Sequence, residues 1–170
     1  MSLARTFRRN TAALTAATVI ALGVLGAQLA SGATAAAAQA QPTTQEISRD
    51  LAAARAASAE YHRVEVALVD GFVDTGHCVA SPDGAMGYHF VNPARMGDGH
   101  LDVTEPEVLL YEKDAHGHLR LTGVEYIGTE GDALFGRTFT PTPAGPALHV
   151  WLWKHNPSGM FADWNPNVSC

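Results

Sequence analysis

The spacing of apolar positions separates a helical front from a strand-like remainder. Ile47, Leu51, Ala54, Ala57, Tyr61, Val64 and Leu68 recur every three or four residues, which puts them on one face of a helix. Thr43, three residues ahead of Glu46, offers a capping box at its start, and Gly71 a stop after Asp70. Arg49, Asp50, Arg55, Glu60 and Arg63 fall on the opposite, solvated face. Phe72 to Asp83 shows neither helical nor strand period and reads as irregular. Met86 to Val91 alternates, with Met86, Tyr88 and Phe90 on one side and Gly87, His89 and Val91 on the other. Val108 to Glu112 and His118 to Ile127 flank a short turn bearing Asp114 and Gly117, the pattern of an antiparallel hairpin. Leu148 to Trp153 carries large side chains on both alternating faces, which predicts a central strand covered on both sides. Asn156-Pro157, Ser158-Gly159 and Asn165-Pro166 then break any regular element, so the tail is expected to wrap as ordered loop. Together these segments predict one α+β domain: an N-terminal helix packed on an antiparallel sheet of about four strands. Long loops are expected at Asn92 to Pro106 and Gly128 to Pro146; connectors as long as the second often cover a site.

Within the second hairpin strand the alternation groups Leu119, Leu121, Gly123, Glu125 and Ile127 against Arg120, Thr122, Val124 and Tyr126. Glu125 thereby falls among apolar residues. A carboxylate there must be hydrogen-bonded, ion-paired, metal-bound or kept protonated. The competing reading is a bulge at Gly123 that breaks the alternation and turns Glu125 outward.

The first 40 residues follow a different rule. Arg5, Arg8 and Arg9 precede an apolar run from Thr11 to Ala30 and a small-residue stretch ending Ala38-Gln39-Ala40. That order predicts a cleaved signal peptide over residues 1–40 and a single secreted domain over 41–170. An uncleaved membrane anchor is the rival, disfavoured because the run is mostly Ala and Thr. Of the 11 basic and 17 acidic residues, residues 41–170 keep 8 basic and all 17 acidic, so their net charge is 8 − 17 = −9. This charge repels phosphate backbones and anionic lipid, so neither nucleic acid nor a membrane surface is an expected partner. Two cysteines, Cys78 and Cys170, suit one disulfide in an oxidising compartment. Two free thiols, or Cys78 acting with His77 on a metal, are the alternatives.

Candidate chemistry gathers on three residues of three proposed strands, His89, Glu125 and His149. If those strands are neighbours, two imidazoles and a carboxylate suit one divalent transition metal, zinc in an open site or iron in a facial triad. Without a metal, Glu125 beside His149 would form an acid–base pair acting on a small molecule held between Tyr126, Phe135, Trp151 and Trp153. Ser81, Ser158 and Ser169 sit in no nucleophile-elbow context, and no phosphate-cradling glycine loop is present. His116 and His118 at an exposed turn, and Asp98, Asp102 and Glu105 in a solvated loop, read as surface. The leading expectation is an extracytoplasmic small-ligand or metal-binding domain. A small metal-dependent or acid–base enzyme on the same residues is the second, and a structural or interaction module displaying Trp151, Trp153 and Trp164 the third.

The segments GAMGYHFVNP (84–93), PEVLLYE (106–112), GVEY (123–126) and HVWLWKHNPSGMFADWNPNVSC (149–170) together resemble a group of exported bacterial proteins, mostly actinobacterial. The resemblance covers most of residues 41–170 and implies secretion and a common fold. It carries over no catalytic residue.

Overall fold

In the computed structural model, which describes residues 41–170, the helical stripe begins as its capping box requires. Helix α1 (Thr44–Ser58) is closed at its start by Thr43, whose hydroxyl accepts from Glu46 N at 3.2 Å while the Glu46 carboxylate accepts from Thr43 N at 2.7 Å. The signal peptide expected over residues 1–40 lies outside the described residues. The helix does not run unbroken to Asp70. It tightens into a 3-10 turn (Ala59–His62), passes through an extended Arg63, and resumes as the short α2 (Val64–Val69). Tyr111 donates its hydroxyl to the Tyr61 carbonyl at 2.6 Å inside the core, at the point where the helix breaks. Past Tyr61 the stripe holds only in part: Val64 still packs on the core, but Ala67 is buried instead of Leu68, which is left half exposed.

Seven strands follow: β1 (Val73–Ser81), β2 (Gly84–Val91), β3 (Val108–Lys113), β4 (Leu119–Ile127), β5 (Ala133–Leu134), β6 (Arg137–Thr138) and β7 (Ala147–Val150). Five of them form one antiparallel sheet in the order β1-β2-β3-β4-β7, while β5 and β6 pair as a small hairpin within the connector. The segment read as irregular is thus the edge strand β1. Most of its residues are exposed, so it carries no apolar alternation from which a strand could be read. Leu148 to Trp153 is not a central strand either. It supplies only the last three residues of the four-residue β7 at the opposite edge, which is buried on both faces because other segments cover it.

One face of the sheet packs Phe90, Leu109, Tyr111, Val124, Tyr126, Leu148 and Val150 against the helices. The other gathers Ala85, Val108, Leu110, Trp151 and Val168 under the tail. Two bulges decide which side chains reach this second face. Leu110 pairs with Gly123 and Tyr111 with Leu121, so Thr122 is the extra residue. The bulge sends Leu121 to the helix side with Tyr111 and leaves Glu125 and Ile127 on the other. In β2, Val79 pairs with Gly87 and Ala80 with Ala85, leaving Met86 over. Met86 accordingly shares a cavity with His89 rather than joining Tyr88 and Phe90.

The tail is held onto the second face at several points. Asn165 and Ala85 exchange two backbone hydrogen bonds of 3.1 Å, and the Trp151 indole donates to the Ala162 carbonyl at 2.6 Å. A disulfide joins Cys78 to Cys170 with Cα atoms 5.6 Å apart, as the cysteine count predicts. No helix among the described residues is long and apolar enough to cross a membrane.

Gly123 is needed where it stands. A Cβ there would lie 2.7 Å from the Val150 carbonyl oxygen and 3.4 Å from the Trp151 ring. Gly123→Ala is expected to cost about 1–3 kcal/mol by overpacking, seen as a lower midpoint in urea with an unchanged slope. An unaltered midpoint would show that the β4–β7 contact gives way freely.

Candidate metal centre

Strand register brings the three candidate residues together. Glu125 on β4 pairs with His149 on β7, so their side chains emerge side by side on the tail-covered face. His89 on β2 lies two strands away and reaches over β3 toward the same carboxylate. His89 Nε2 is 3.6 Å from Glu125 Oε2, and His149 Nε2 is 3.5 Å from Glu125 Oε1. One ligand atom from each residue lies within 4.8 Å of the others. The Thr122 bulge is real, yet it does not expose Glu125. It moves the carboxylate from the helix face to a second face that the tail also buries, leaving Glu125 6 % exposed.

The two imidazoles differ in how they are held. His89 Nδ1 is 3.2 Å from the Gly87 carbonyl, which can only accept, so Nδ1 carries the hydrogen and Nε2 presents its lone pair toward Glu125. Burial holds the His89 imidazole below its ordinary titration range; the Glu125 charge opposes that shift and His149 adds to it. The neutral ring is the ligand form. His149 is 1 % exposed, and neither of its ring nitrogens has a hydrogen-bond partner among the described residues. Its Nδ1 faces Asp163 Oδ1 at 3.7 Å, beyond hydrogen-bond range but on the side where a carboxylate can back a metal-binding imidazole.

The two imidazole–carboxylate separations, 3.6 and 3.5 Å, are too long for good hydrogen bonds and close to the spacing of donors around one ion. Two donors each about 2.0–2.2 Å from a tetrahedral zinc stand about 3.3–3.6 Å apart. A buried imidazole with no partner is uncommon in a folded protein, and an ion at this point would satisfy it.

The centre opens into a cavity of about 570 Å³. Its walls include Met86, Val91, Met96, Val108, Ile127 and Trp164, with the turn Pro141 to Ala144 at the side. Tyr126, Trp151 and Trp153, expected to line a ligand pocket, do not line this one. Tyr126 lies on the helix face and donates its hydroxyl to the Val103 carbonyl at 2.7 Å. Trp151 stacks beside His149 with ring centres 6.2 Å apart, and Trp153 donates its indole N–H to the Ser58 hydroxyl at 3.1 Å while Arg55 lies over its ring. Asp163 and Trp164, absent from the expected site, take those places. Their only sequence signal is their position just before Asn165-Pro166, where the looped tail returns to β2. His116 and His118 are exposed, as expected. A second group, His100, Asp102 and Glu105, lies in the loop before β3, with the Asp102 carboxylate engaged by Thr104.

Beside Val108 and Ile127 a buried carboxylate serves the fold. Glu107 accepts from Ile127 N at 3.1 Å, and burial pushes its carboxyl up to about 7. Because the folded state keeps this proton where the unfolded chain loses it, the contribution is full below about pH 4.5 and is lost as pH rises to about 7. Glu107→Gln, which retains an acceptor for Ile127, should flatten this fall in thermal midpoint. An identical pH profile in the variant would contradict it.

The structure thus defines an α+β domain with one disulfide and a His–Glu–His group able to hold a metal ion. Comparison with known protein families, curated proteins and solved structures found no match to this chain.

Proposed function

We propose that this is an exported protein that binds a single divalent transition ion, zinc or iron(II), through His89 Nε2, Glu125 and His149 Nε2, and admits a small molecule to it. The observation that carries this reading is His149: fully buried, unpartnered, with Nε2 3.5 Å from one Glu125 oxygen while His89 approaches the other. Imidazole and carboxylate donors favour zinc or iron over calcium or magnesium, and three protein ligands leave coordination positions open toward the cavity. Export is supported by the basic, apolar and small-residue order of residues 1–40 and by the Cys78–Cys170 bridge. The interaction-module reading is weakened by the tryptophans, since Trp151 is buried and Trp153 and Trp164 are both partly buried. Catalysis on the same residues is the second reading. It is favoured by the open side of the group, where an ion would activate a bound water or polarise a substrate oxygen.

The test is metal analysis of the protein as its host secretes it, purified without chelator, then offered zinc and, anaerobically, iron(II). About one ion per chain is expected. Glu125→Gln and His149→Ala should retain less than about a tenth of it while keeping the wild-type circular dichroism. Wild-type protein that takes up neither ion, or folded variants that bind as wild type does, would refute the proposal.

A further inference from the structure

Resting on the metal-binding reading, we infer that the molecule admitted to this centre is a small, largely apolar monoanion, a monocarboxylic acid in chemical class, with its charged end on the ion and its body in the cavity. Charge gives the first reason. A divalent ion held by two neutral imidazoles and the Glu125 carboxylate keeps one unit of positive charge, which one monoanion neutralises. Asp163 is not placed as a ligand: it faces the far nitrogen of His149, and its partial exposure lets solvent screen its charge.

The walls give the second reason. Apart from the His89, Glu125, His149 and Asp163 side chains, the only polar groups that side chains bring to the cavity are the Thr142 hydroxyl and the Trp164 indole N–H, both neutral, and no Arg or Lys lines it among the described residues. A second anionic group, as in a dicarboxylate or a phosphate ester, would be desolvated with no counter-charge. Met86, Val91, Val108, Ile127 and Trp164 reward an apolar body instead, and about 570 Å³ is within the range of small-molecule sites. This character is local. Across the shared wall of Met96, Ile127 and Ala144 lies a cavity of about 640 Å³ lined by Arg95, Asp98, His100, Thr129 and Asp132. That polar neighbour lacks the three ligands.

The experiment uses the secreted protein loaded with cobalt(II), whose visible spectrum reports a change in its coordination. Metal content is measured first. Straight-chain monocarboxylates from acetate to octanoate are then titrated, beside primary alcohols and α,ω-dicarboxylates of matching length. The monocarboxylates should perturb the spectrum and bind about fourfold more tightly per added methylene until the chain outgrows the cavity. Alcohols and dicarboxylates should bind at least about tenfold more weakly at equal length, and metal-free protein should lose the acids. Ala144→Trp, in an exposed turn on the cavity wall, should abolish the gain with chain length while leaving metal content and acetate binding as they are. Loaded protein showing no length dependence, preferring dicarboxylates, or binding no better than its metal-free form would overturn the inference and leave the metal reading standing. Protein that takes up no ion would overturn both.

Discussion

Replacing Cys78 and Cys170 by serine should lower stability by up to about 4.5 kcal/mol, or roughly 10–20 °C in thermal midpoint. The bridge spans 92 residues, so most of the domain lies inside the loop it closes, and the unfolded chain loses much of its freedom when it forms. A second effect should accompany the first. The bridge ties the end of the tail to β1, and the same tail carries Asp163 and Trp164 over the metal centre. Loosening it should weaken metal binding by about tenfold, the scale seen when the groups that orient metal ligands are lost. Thermal melts and metal titrations of the double serine variant, beside wild type with and without reductant, measure both. A change below about 1 kcal/mol would mean that the Asn165–Ala85 pairing and the Trp151 indole bond already hold the tail unaided.

Glu125→Met should move stability in opposite directions depending on metal. In metal-free protein the Glu125 side chain is 8 % exposed and has no hydrogen-bond partner among the described residues closer than the two imidazoles at 3.5 and 3.6 Å. An apolar side chain of similar volume removes a desolvated carboxylate, so the metal-free variant should be more stable by about 1–2 kcal/mol. Wild type should recover the advantage when metal is added. An ion at a thousandfold excess over its dissociation constant stabilises by about 4 kcal/mol, and the variant should gain none of this. Melts in chelator and in saturating zinc give all four values. If Glu125→Met is destabilising without metal and zinc still raises its midpoint, Glu125 is a structural residue and the ion binds elsewhere. Stability given up locally for a ligand set is the usual mark of a functional site.

The candidate site was readable in part because its residues violate local expectation. Glu125 amid Leu121, Gly123 and Ile127 is conspicuous in any strand, and so is His149 in an otherwise apolar run. The route by which Glu125 becomes buried was not readable. Alternation alone put it with Leu121, and a bulge alone turned it to solvent; both fail because the face it reaches is covered by a tail distant in sequence. Asp163 and Trp164 escaped notice for the same reason. Nothing near them in the chain marks a site, and their importance comes from the Asn165–Ala85 pairing, which brings the tail back to β2 and so to the cavity they share with His89 and His149.

What the sequence determined by itself is what short-range physics controls. The capping box at Thr43 and Glu46, the apolar stripe as far as Tyr61, the hairpin at Asp114 to Gly117 and the pairing of two lone cysteines each depend on neighbours in the chain or on simple counting. Tertiary structure decided the rest. An exposed edge strand such as β1 has no apolar period to display, and β7 is buried at an edge because the connector and tail cover it. The extra residues Met86 and Thr122 shift side chains between faces without a trace in composition. The metal centre belongs to this second class: its ligands come from three strands whose order in the sheet, rather than in the chain, sets the distances between them.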